Sequence, residues 1–229
     1  MVGYNTSSMV TPPPRYPIPA AETRTEILVV NSRFIATLAP VFSVDEAKAF
    51  VARVRAEMPD ATHHVPAFIV GHGASTTTHC SDDGEPSGTA GRPALAVLSG
   101  SGLGDVCVVV TRYFGGTKLG TGGLVRAYSD AVRAVLAVTP RAEKVPVHTV
   151  LLAAPYNWFE RLRLLIEAHG GELVGQDFAA DVTLTARFPV ERFPAFQHAL
   201  SEASHGSLQA EIIETELAII PIPSQGEHA

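Results

Sequence analysis

Alternating and helically spaced apolar residues divide the first part of the chain into strands and one helix. Two β-branched or alternating runs, 26–30 and 33–38, predict antiparallel strands joined by a tight turn. Ser43, with Glu46 three positions later, is a capping-box pattern that predicts the start of a helix. The apolar spacing that follows is helical until Pro59, so this helix is expected to be amphipathic.

The rest of the first half continues with mixed elements. In chain order the pattern predicts a strand at 65–70, a mobile loop at 71–78, a helix at 93–98, a buried strand at 105–112, and a helix from Thr121 to just before Pro140.

The second half has a regular order of elements. It predicts a strand at 147–153, a helix at 158–168, a strand pair at 172–178 and 181–188, a helix at 193–203, and a strand at 211–219. This βαββαβ order is the split arrangement of ferredoxin-like domains.

A length of 229 residues favours two domains of about 100 residues each. The predicted fold class is therefore α+β with two domains. The expected boundaries are a disordered proline-rich lead-in at 1–21, an α/β domain at 22–140, a linker at 140–146, a ferredoxin-like domain at 147–219 and a loose tail at 220–229.

Composition is typical of an ordered globular protein, with 46% hydrophobic and 17% charged residues. No apolar run approaches the roughly 18 residues of a membrane helix, and the lead-in lacks the apolar region of a signal peptide. We therefore expect a cytoplasmic protein without a membrane partner. Of the two cysteines, Cys107 lies in an apolar run and is expected to be a core residue.

Charge is distributed unequally between the two halves. Residues 1–140 hold 11 basic and 11 acidic residues, whereas residues 141–229 hold 6 and 12. The basic footprint typical of nucleic-acid binding is absent from the chain as a whole, so any such contact must be local. The acidic second domain is a candidate for binding a protein partner, or simply a solvated surface.

A glycine-rich segment follows the buried strand and leads into the next helix. Such a segment lets the backbone approach a ligand closely, and its amides point with the helix dipole towards one spot, which predicts an anion or RNA phosphate site. Alternatively, the glycines serve only a tight strand-to-helix turn. The candidate binding residues are Arg112, Gly115, Gly116, Lys118, Gly120, Gly122, Gly123 and Arg126. Neither common nucleotide-binding signature is present, so no ATP or NAD cofactor is expected.

An acidic turn precedes this segment and contains Asp82, Asp83, Glu85, Ser87 and Thr89. Its carboxylates could form a metal cradle or an acid/base pair, or they could accept amide hydrogen bonds as a turn and helix cap. The nearby candidate ligands, His63, His64, His72, His79 and Cys80, match no zinc spacing. We therefore expect no metal and no cofactor, and no serine or cysteine nucleophile is indicated.

Three aromatic residues flank the basic positions: Tyr113, Phe114 and Tyr128. Aromatic rings beside cations can stack nucleic-acid bases while the cations hold phosphates. Each could equally be a core residue, and the helical spacing of Tyr128 favours the core.

Two long motifs resemble the IMPACT family, in its bacterial YigZ branch. They are Ser-Asp-Asp-Gly-Glu-Pro-Ser-Gly-Thr-Ala-Gly at 81–91 and Val-Val-Thr-Arg-Tyr-Phe-Gly-Gly-Thr-Lys-Leu-Gly-Thr-Gly-Gly-Leu-Val-Arg-Ala-Tyr at 109–128. The resemblance extends from about Ser32 to Val138, and a second domain of that branch would account for 147–219.

This resemblance implies an N-terminal fold shared with the second domain of a small-subunit ribosomal protein. It also implies a C-terminal domain similar to one in elongation factor G; both relatives work on ribosomes. Eukaryotic members resemble translation regulators that act through the amino-acid-starvation kinase pathway. Their extra N-terminal binding domain has no counterpart here, and the resemblance supplies no catalytic residues.

The leading hypothesis is a regulator of translation that associates with the ribosome or RNA through the glycine-rich basic groove. The alternative is an enzyme acting on a small phosphorylated or anionic metabolite bound at the same loop. A non-enzymatic role is favoured over an enzymatic one. A third possibility is a protein-interaction module in which the glycines are purely conformational.

Overall fold

The chain folds into two compact units, seen in a computed structural model that describes residues 15–73 and 75–222. Within those residues the N-terminal unit comprises 16–143 and 220–222, and the C-terminal unit comprises Arg15 and 144–219. The predicted two-domain α+β fold class is confirmed.

The N-terminal unit contains six complete strands and three helices. They are β1 (Tyr16–Pro19), β2 (Thr23–Val29), β3 (Ser32–Pro40), α1 (Val44–Glu57), β4 (His63–Val70), β5 (Thr77–Cys80), α2 (Gly91–Gly100), β6 (Val106–Tyr113) and α3 (Gly120–Val138). Strands β2 to β6 form one antiparallel sheet in the order β2-β3-β6-β4-β5.

Strand β6 lies at the centre of this sheet and is covered on both faces. Val108 and Val110 belong to the core under α2 and α3, whereas Cys107 and Val109 pack with α1. Successive side chains of a strand point to opposite faces, so a strand covered on both sides reads as a continuous apolar run. The expectation that Cys107 is a core residue is confirmed, since its exposed fraction is 0%.

The start of α1 follows the capping pattern in the sequence. The Ser43 hydroxyl accepts a hydrogen bond from the Glu46 amide at 3.1 Å, and the Glu46 carboxylate accepts one from the Phe42 amide at 2.9 Å. These bonds satisfy amides that the first helical turn leaves without a partner. The predicted helix start is confirmed.

The C-terminal unit has the predicted ferredoxin-like order. Its elements are the larger part of β7 (Arg141–Ala154), a 3-10 turn at Tyr156–Trp158, α4 (Phe159–Ala168), β8 (Glu172–Phe178), β9 (Val182–Pro189), α5 (Phe193–Ser204) and β10 (Glu211–Pro221). The strands lie in the order β10-β7-β9-β8. Its core contains residues from both helices and from β7 and β9, with Phe188 stacked on Phe196 at 4.4 Å between ring centroids.

The two units divide between Glu143 and Lys144, within the linker predicted at 140–146, but this segment is not a loose connection, because strand β7 begins at Arg141 and runs through it. Proline lacks only the backbone donor, and its carbonyl can still accept. The Pro140 carbonyl accepts from the Ala20 amide at 2.8 Å, and the Pro146 carbonyl accepts from the Val190 amide at 3.0 Å. Two prolines therefore did not mark a flexible segment here.

The disordered lead-in predicted at 1–21 is wrong for residues 16–19. Residues 16–19 form β1, and Ile18 is fully buried with Tyr16 and Ala142. The Tyr16 hydroxyl donates a hydrogen bond to the Asp105 carboxylate at 2.7 Å. Nothing in the sequence indicates this contact, because the two residues are far apart in the chain. Residues 1–14 lie outside the described part of the chain.

Two smaller expectations also need correction. The mobile loop predicted at 71–78 ends earlier, because Thr77 and Thr78 begin β5 and pair with Val70 and Ile69 of β4. The tail predicted from 220 begins later, since β10 continues to Pro221 and the Ile222 amide donates to the Arg141 carbonyl at 3.0 Å. Residues 223–229 are outside the described range. No helix in the described ranges is both long and apolar enough to cross a membrane.

Candidate functional site

A cavity of about 360 Å³ lies in the N-terminal unit where the acidic turn, the end of β6 and the start of α3 meet. We call it the glycine-loop pocket. Its walls are formed by Glu85, Pro86, Arg112, Phe114, Lys118, Leu119, Gly120, Thr121 and Leu124. The structure thus brings together residues from both motifs found in the sequence.

Asp82 holds the acidic turn in place through backbone amides. One carboxylate oxygen accepts from Ala90 and Gly91, at 3.1 and 2.8 Å, and the other accepts from Gly88 at 2.8 Å. Burial alone would raise the pKa of Asp82, but these three hydrogen bonds outweigh it and the pKa is lowered. Asp82 therefore caps the N-terminus of α2, which has no cap from the side chain of its own N-cap residue Ala90.

Asp83 is likewise held by protein groups. Its carboxylate pairs with Arg55 at 2.7 Å and accepts from the His64 amide at 2.6 Å, while its carbonyl is 2.7 Å from His63 Nδ1. Its backbone adopts φ of +45°, a left-handed conformation that Asp tolerates better than most residues. The geometry of Asp82 and Asp83 fits the turn-and-cap interpretation.

Glu85 is buried and forms the floor of the pocket with two partners. Its Oε1 accepts from Arg112 Nη1 at 2.6 Å and from the Tyr128 hydroxyl at 2.7 Å. The side chains of Glu85 and Arg112 are 3% and 6% exposed. Burial, together with the hydrogen bond to Glu85, raises the pKa of Tyr128, so this phenol remains a neutral donor.

Arg112 has one further donor that the protein does not use. Its Nε is buried and has no hydrogen-bond partner within the described residues. Its guanidinium also lies 5.4 Å from the ring centre of Phe34 and 5.5 Å from that of Phe114. A buried polar atom without a partner is costly and marks a place where a ligand or water can complete the network.

Helix α3 begins at the pocket without a side-chain cap. Leu119 is the N-cap residue and its side chain supplies no hydrogen bond to the first turn, and Gly120 and Thr121 line the cavity. Lys118 is exposed beside these amides and makes no ion pair in the described part of the chain. Free amides at a helix N-terminus, next to a cation, favour an anion.

The predicted glycines differ in the physical reason that requires glycine at each position. A Cβ on Gly115 would lie 2.1 Å from the Asn31 carbonyl, so this glycine serves close packing. Gly116 and Gly120 have φ of +84° and +70°, and a Cβ on Gly123 would be 3.1 Å from Leu119. A Cβ on Gly122 would meet nothing within 4 Å and its φ is not positive, so neither sterics nor backbone conformation requires glycine there.

Other predicted residues lie away from the cavity. Arg126 is exposed on α3 and does not line it, and Ser87 is exposed on the acidic turn. Thr89 is buried and its hydroxyl donates to the Pro86 carbonyl at 2.6 Å. These three side chains do not converge with Lys118.

Of the histidines near the acidic turn, His63 also approaches Glu85, with 3.8 Å between His63 Nε2 and Glu85 Oε2. The other three have separate partners. His64 Nδ1 lies 3.2 Å from the Thr111 hydroxyl, His72 stacks on Tyr16, and His79 packs against Phe68. Across the described ranges no cluster of three or more potential ligands has metal-binding geometry.

Sequence reasoning missed two features of this site. The spacing identified Tyr128 as a core residue but not as the partner of Glu85, although a tyrosine in place of phenylalanine at a buried position is a signal that its hydroxyl has a partner. It also missed Leu119 and Thr121 as pocket residues, because their position depends on how the loop folds back.

Comparison with known proteins finds two family models on this chain. The Impact N-terminal domain matches residues 30–136, and a domain of unknown function, DUF1949, matches residues 152–207. The chain is similar to the IMPACT family member YigZ of Escherichia coli, with 42% identity over 86% of this chain and 97% of that protein.

A second relative and a solved structure agree with this. An IMPACT family member of Haemophilus influenzae is 37% identical over 87% of this chain and 97% of its own length. A crystal structure described as a hypothetical protein matches with a TM-score of 0.58 and 41% identity, covering 87% of this chain and 98% of that one.

Proposed function

The chain belongs to the IMPACT family, and from that membership and the geometry of the glycine-loop pocket we propose that it is a regulator of translation that binds RNA. In this proposal one RNA phosphate sits at the N-terminus of α3, at the mouth of the pocket. The observation that carries the proposal is the uncapped first turn of α3, which opens on the pocket beside the unpaired Lys118.

Two further features support a phosphate at this position. Gly122 lies in the first turn of α3 with open space where a Cβ would be, so glycine there suits a ligand that approaches the backbone. Arg112 lines the same pocket with an unpartnered Nε. Because its charge is paired with Glu85, Arg112 forms a fixed wall of the pocket, and the exposed Lys118 is the cation that would pair with the phosphate.

The surroundings of the pocket suit a nucleic-acid strand. Phe114 is 47% exposed at the rim, where a base could stack on its ring. Arg126 lies exposed further along α3, where it can contact a neighbouring phosphate. Cations on both sides of the helix start provide the local contact that a chain with net charge −6 needs in order to bind RNA.

The translational role rests on the fold resemblance, since both domains resemble parts of proteins that work on ribosomes. The acidic C-terminal unit would contribute a protein contact. Its strand β10 exposes Ile212 and Ile213 next to Glu214, a mixture of apolar and acidic groups suited to a protein surface.

One observation favours the alternative of a small phosphorylated or anionic metabolite. The pocket is concave, and its volume of about 360 Å³ lies in the range of small-molecule sites, about 300–1,000 Å³. Glu85 would then face the ligand from the floor. RNA and a metabolite share the phosphate group, so the experiment must separate the two sources.

The first test measures binding of a labelled single-stranded RNA of about 12 nucleotides by fluorescence anisotropy over a range of salt concentrations. We expect the logarithm of the binding constant to fall with that of salt by about 0.7 per phosphate contact. Lys118→Glu should weaken binding and reduce this slope. Lys48→Glu, on the exposed face of α1, is the matched control and should not.

Gly122→Ala tests the proposed phosphate site at the N-terminus of α3 without removing charge. A methyl group fits the folded protein and favours helix, so the free energy of unfolding should be unchanged or raised by up to about 1 kcal/mol. RNA affinity should nevertheless fall, because the methyl group intrudes between the amides and the phosphate. Equal RNA affinity of wild type, Gly122→Ala and Lys118→Glu would contradict the proposed site.

Sucrose-gradient sedimentation of a cell lysate then connects RNA binding to translation. The wild-type protein should travel with a ribosomal subunit at low salt, and Lys118→Glu/Arg126→Glu should stay at the top. If both stay at the top while a phosphorylated metabolite raises the melting temperature of wild type but not of Lys118→Glu, the metabolite alternative replaces the translational one.

A further inference from the structure

A second and larger concavity lies between α2 and α3, and the proposed RNA site does not use it. We call it the α2–α3 groove. Its volume is about 910 Å³, and its lining includes Arg92, Ala96, Val125, Arg133, Ala137 and Arg141. It shares no lining residue with the glycine-loop pocket.

Helical spacing makes the groove continuous along both helices. On α2 the lining positions 92, 96 and 100 are four residues apart, and on α3 so are 125, 129, 133 and 137. Residues four apart lie on one face of a helix. At 1.5 Å per residue these stripes are about 12 and 18 Å long, which is two to three turns of a docked helix.

The floor of the groove is made of small and apolar side chains. Ala96 and Ala137 are exposed, Val125 is 39% exposed, and Gly100 leaves the end of α2 without a side chain. Small residues along a groove let another helix approach closely, and apolar ones provide surface to bury. The described part of the chain places no aromatic ring in the groove wall, so these residues offer nothing on which an RNA base would stack.

The polar groups of the groove are predominantly cationic. Arg92 and Arg141 line it, and their guanidinium groups make no ion pair within residues 15–73 and 75–222. Arg133 pairs with Asp130 at 2.7 Å, but both side chains are largely exposed, so this pair is weakly held. Among the residues that the structure describes, no acidic one lines the groove.

We propose that the α2–α3 groove is a docking site for an acidic amphipathic helix of a partner protein. The apolar stripe of that helix would lie on Ala96, Val125 and Ala137, and its flanking carboxylates would pair with Arg92 and Arg133. The arginines favour an acidic partner, and the small apolar floor favours a helix with an apolar stripe. A nucleic-acid backbone could pair with the arginines, but its phosphates would make no favourable contact with the apolar floor.

The test uses a fluorescein-labelled peptide of about 14 residues built from Glu, Ala and Leu, with its apolar residues spaced three and four apart on one face. Two peptides serve as references: a scrambled sequence of the same composition, and the same helix with Lys in place of Glu. The full-length protein is titrated against each peptide, and anisotropy gives the dissociation constant.

The amphipathic acidic peptide should bind wild type at least about tenfold more tightly than either reference peptide. Arg92→Glu/Arg133→Glu should weaken its binding about tenfold or more. Ala96→Trp should abolish binding by filling the floor, and it changes no charge. Lys48→Glu, outside the groove, should bind as wild type does. Circular dichroism of every variant establishes that it is folded, and Ala96→Trp stands alone as the test if the charge reversal unfolds.

The proposal is overturned if the acidic peptide binds no more tightly than its scrambled form, or if neither groove variant weakens it. It is also overturned if a single-stranded RNA, and not the peptide, loses affinity in Arg92→Glu/Arg133→Glu. Lys118→Glu should leave peptide binding intact, so the groove and the glycine-loop pocket can fail separately.

Discussion

Glu85 and Arg112 show how one residue pair can organise a site. The two side chains come from positions 27 residues apart and meet at 2.6 Å with almost no exposure. Arg112 Nη2 also donates a hydrogen bond to the Ser32 hydroxyl at 3.4 Å, and the Tyr128 hydroxyl donates one to Glu85. A buried ion pair needs such extra hydrogen bonds, because the attraction between the charges must offset the loss of hydration of both.

We predict that Glu85→Ala lowers the free energy of unfolding of the N-terminal unit by about 3–5 kcal/mol, since it leaves the buried guanidinium of Arg112 without its counter-charge. Arg112→Met should also destabilise, because it leaves Glu85 unpaired. Urea unfolding measures the loss of stability in both variants, and hydrogen exchange of the β6 amides assigns that loss to the N-terminal unit.

The double variant Glu85→Ala/Arg112→Met is the informative comparison. It removes both charges, so its loss should be smaller than the sum for Glu85→Ala and Arg112→Met. Strict additivity would show that the two side chains do not depend on each other.

At the scale of elements, the acidic turn fixes the start of α2. Asp82 accepts three amide hydrogen bonds at that end. The N-cap residue itself, Ala90, has no side chain that could cap the helix. The acidic turn also carries Glu85 into the pocket, so the position of the pocket floor depends on this cap.

We predict that Asp82→Asn costs about 1–2 kcal/mol at pH 7, because the amide has one acceptor oxygen where the carboxylate has two. The pKa of Asp82 is lowered in the folded protein, so its contribution is complete above the unfolded value of about 3.9 and is lost as the pH falls through the lower folded value. The difference between wild type and variant, measured by unfolding at pH 7 and pH 3, should therefore shrink at pH 3. A difference that stays constant with pH would contradict the role of the carboxylate.

At the scale of the whole molecule, each unit has its own core. Val108 lies in the core under α2 and α3, whereas Leu184 lies in the core of the C-terminal unit, and both are fully buried. Separate cores favour separate cooperative units of unfolding.

We predict that Leu184→Ala destabilises the C-terminal unit by about 2–5 kcal/mol and speeds hydrogen exchange in β8 and β9, while exchange in β4 and β6 stays as in wild type. Val108→Ala should give the opposite pattern. Hydrogen exchange read by mass spectrometry distinguishes the two. If either variant speeds hydrogen exchange in both units, the two units unfold together.

Several elements could be predicted from local sequence alone. The start of α1 at Ser43, the burial of Cys107 in β6 and the order of elements in the C-terminal unit all depend on residues close in the chain, whose spacing sets which face is apolar. The two motifs at 81–91 and 109–128 likewise indicated the family and where a site should lie.

Other features required the tertiary structure, because they arise between residues far apart in sequence. Proline content suggested a linker where β7 runs, but the carbonyls of Pro140 and Pro146 accept hydrogen bonds from the amides of Ala20 and Val190, which are distant in sequence. Spacing could not reveal that Glu85 would pair with Arg112. Nor could it reveal that α2 and α3 would pack to leave a groove in which Arg92 and Arg141 make no ion pair with the described residues. The sequence by itself determined most of the elements and the two motifs, because these depend on neighbouring residues, whereas the fold decided which charges are paired and which face solvent.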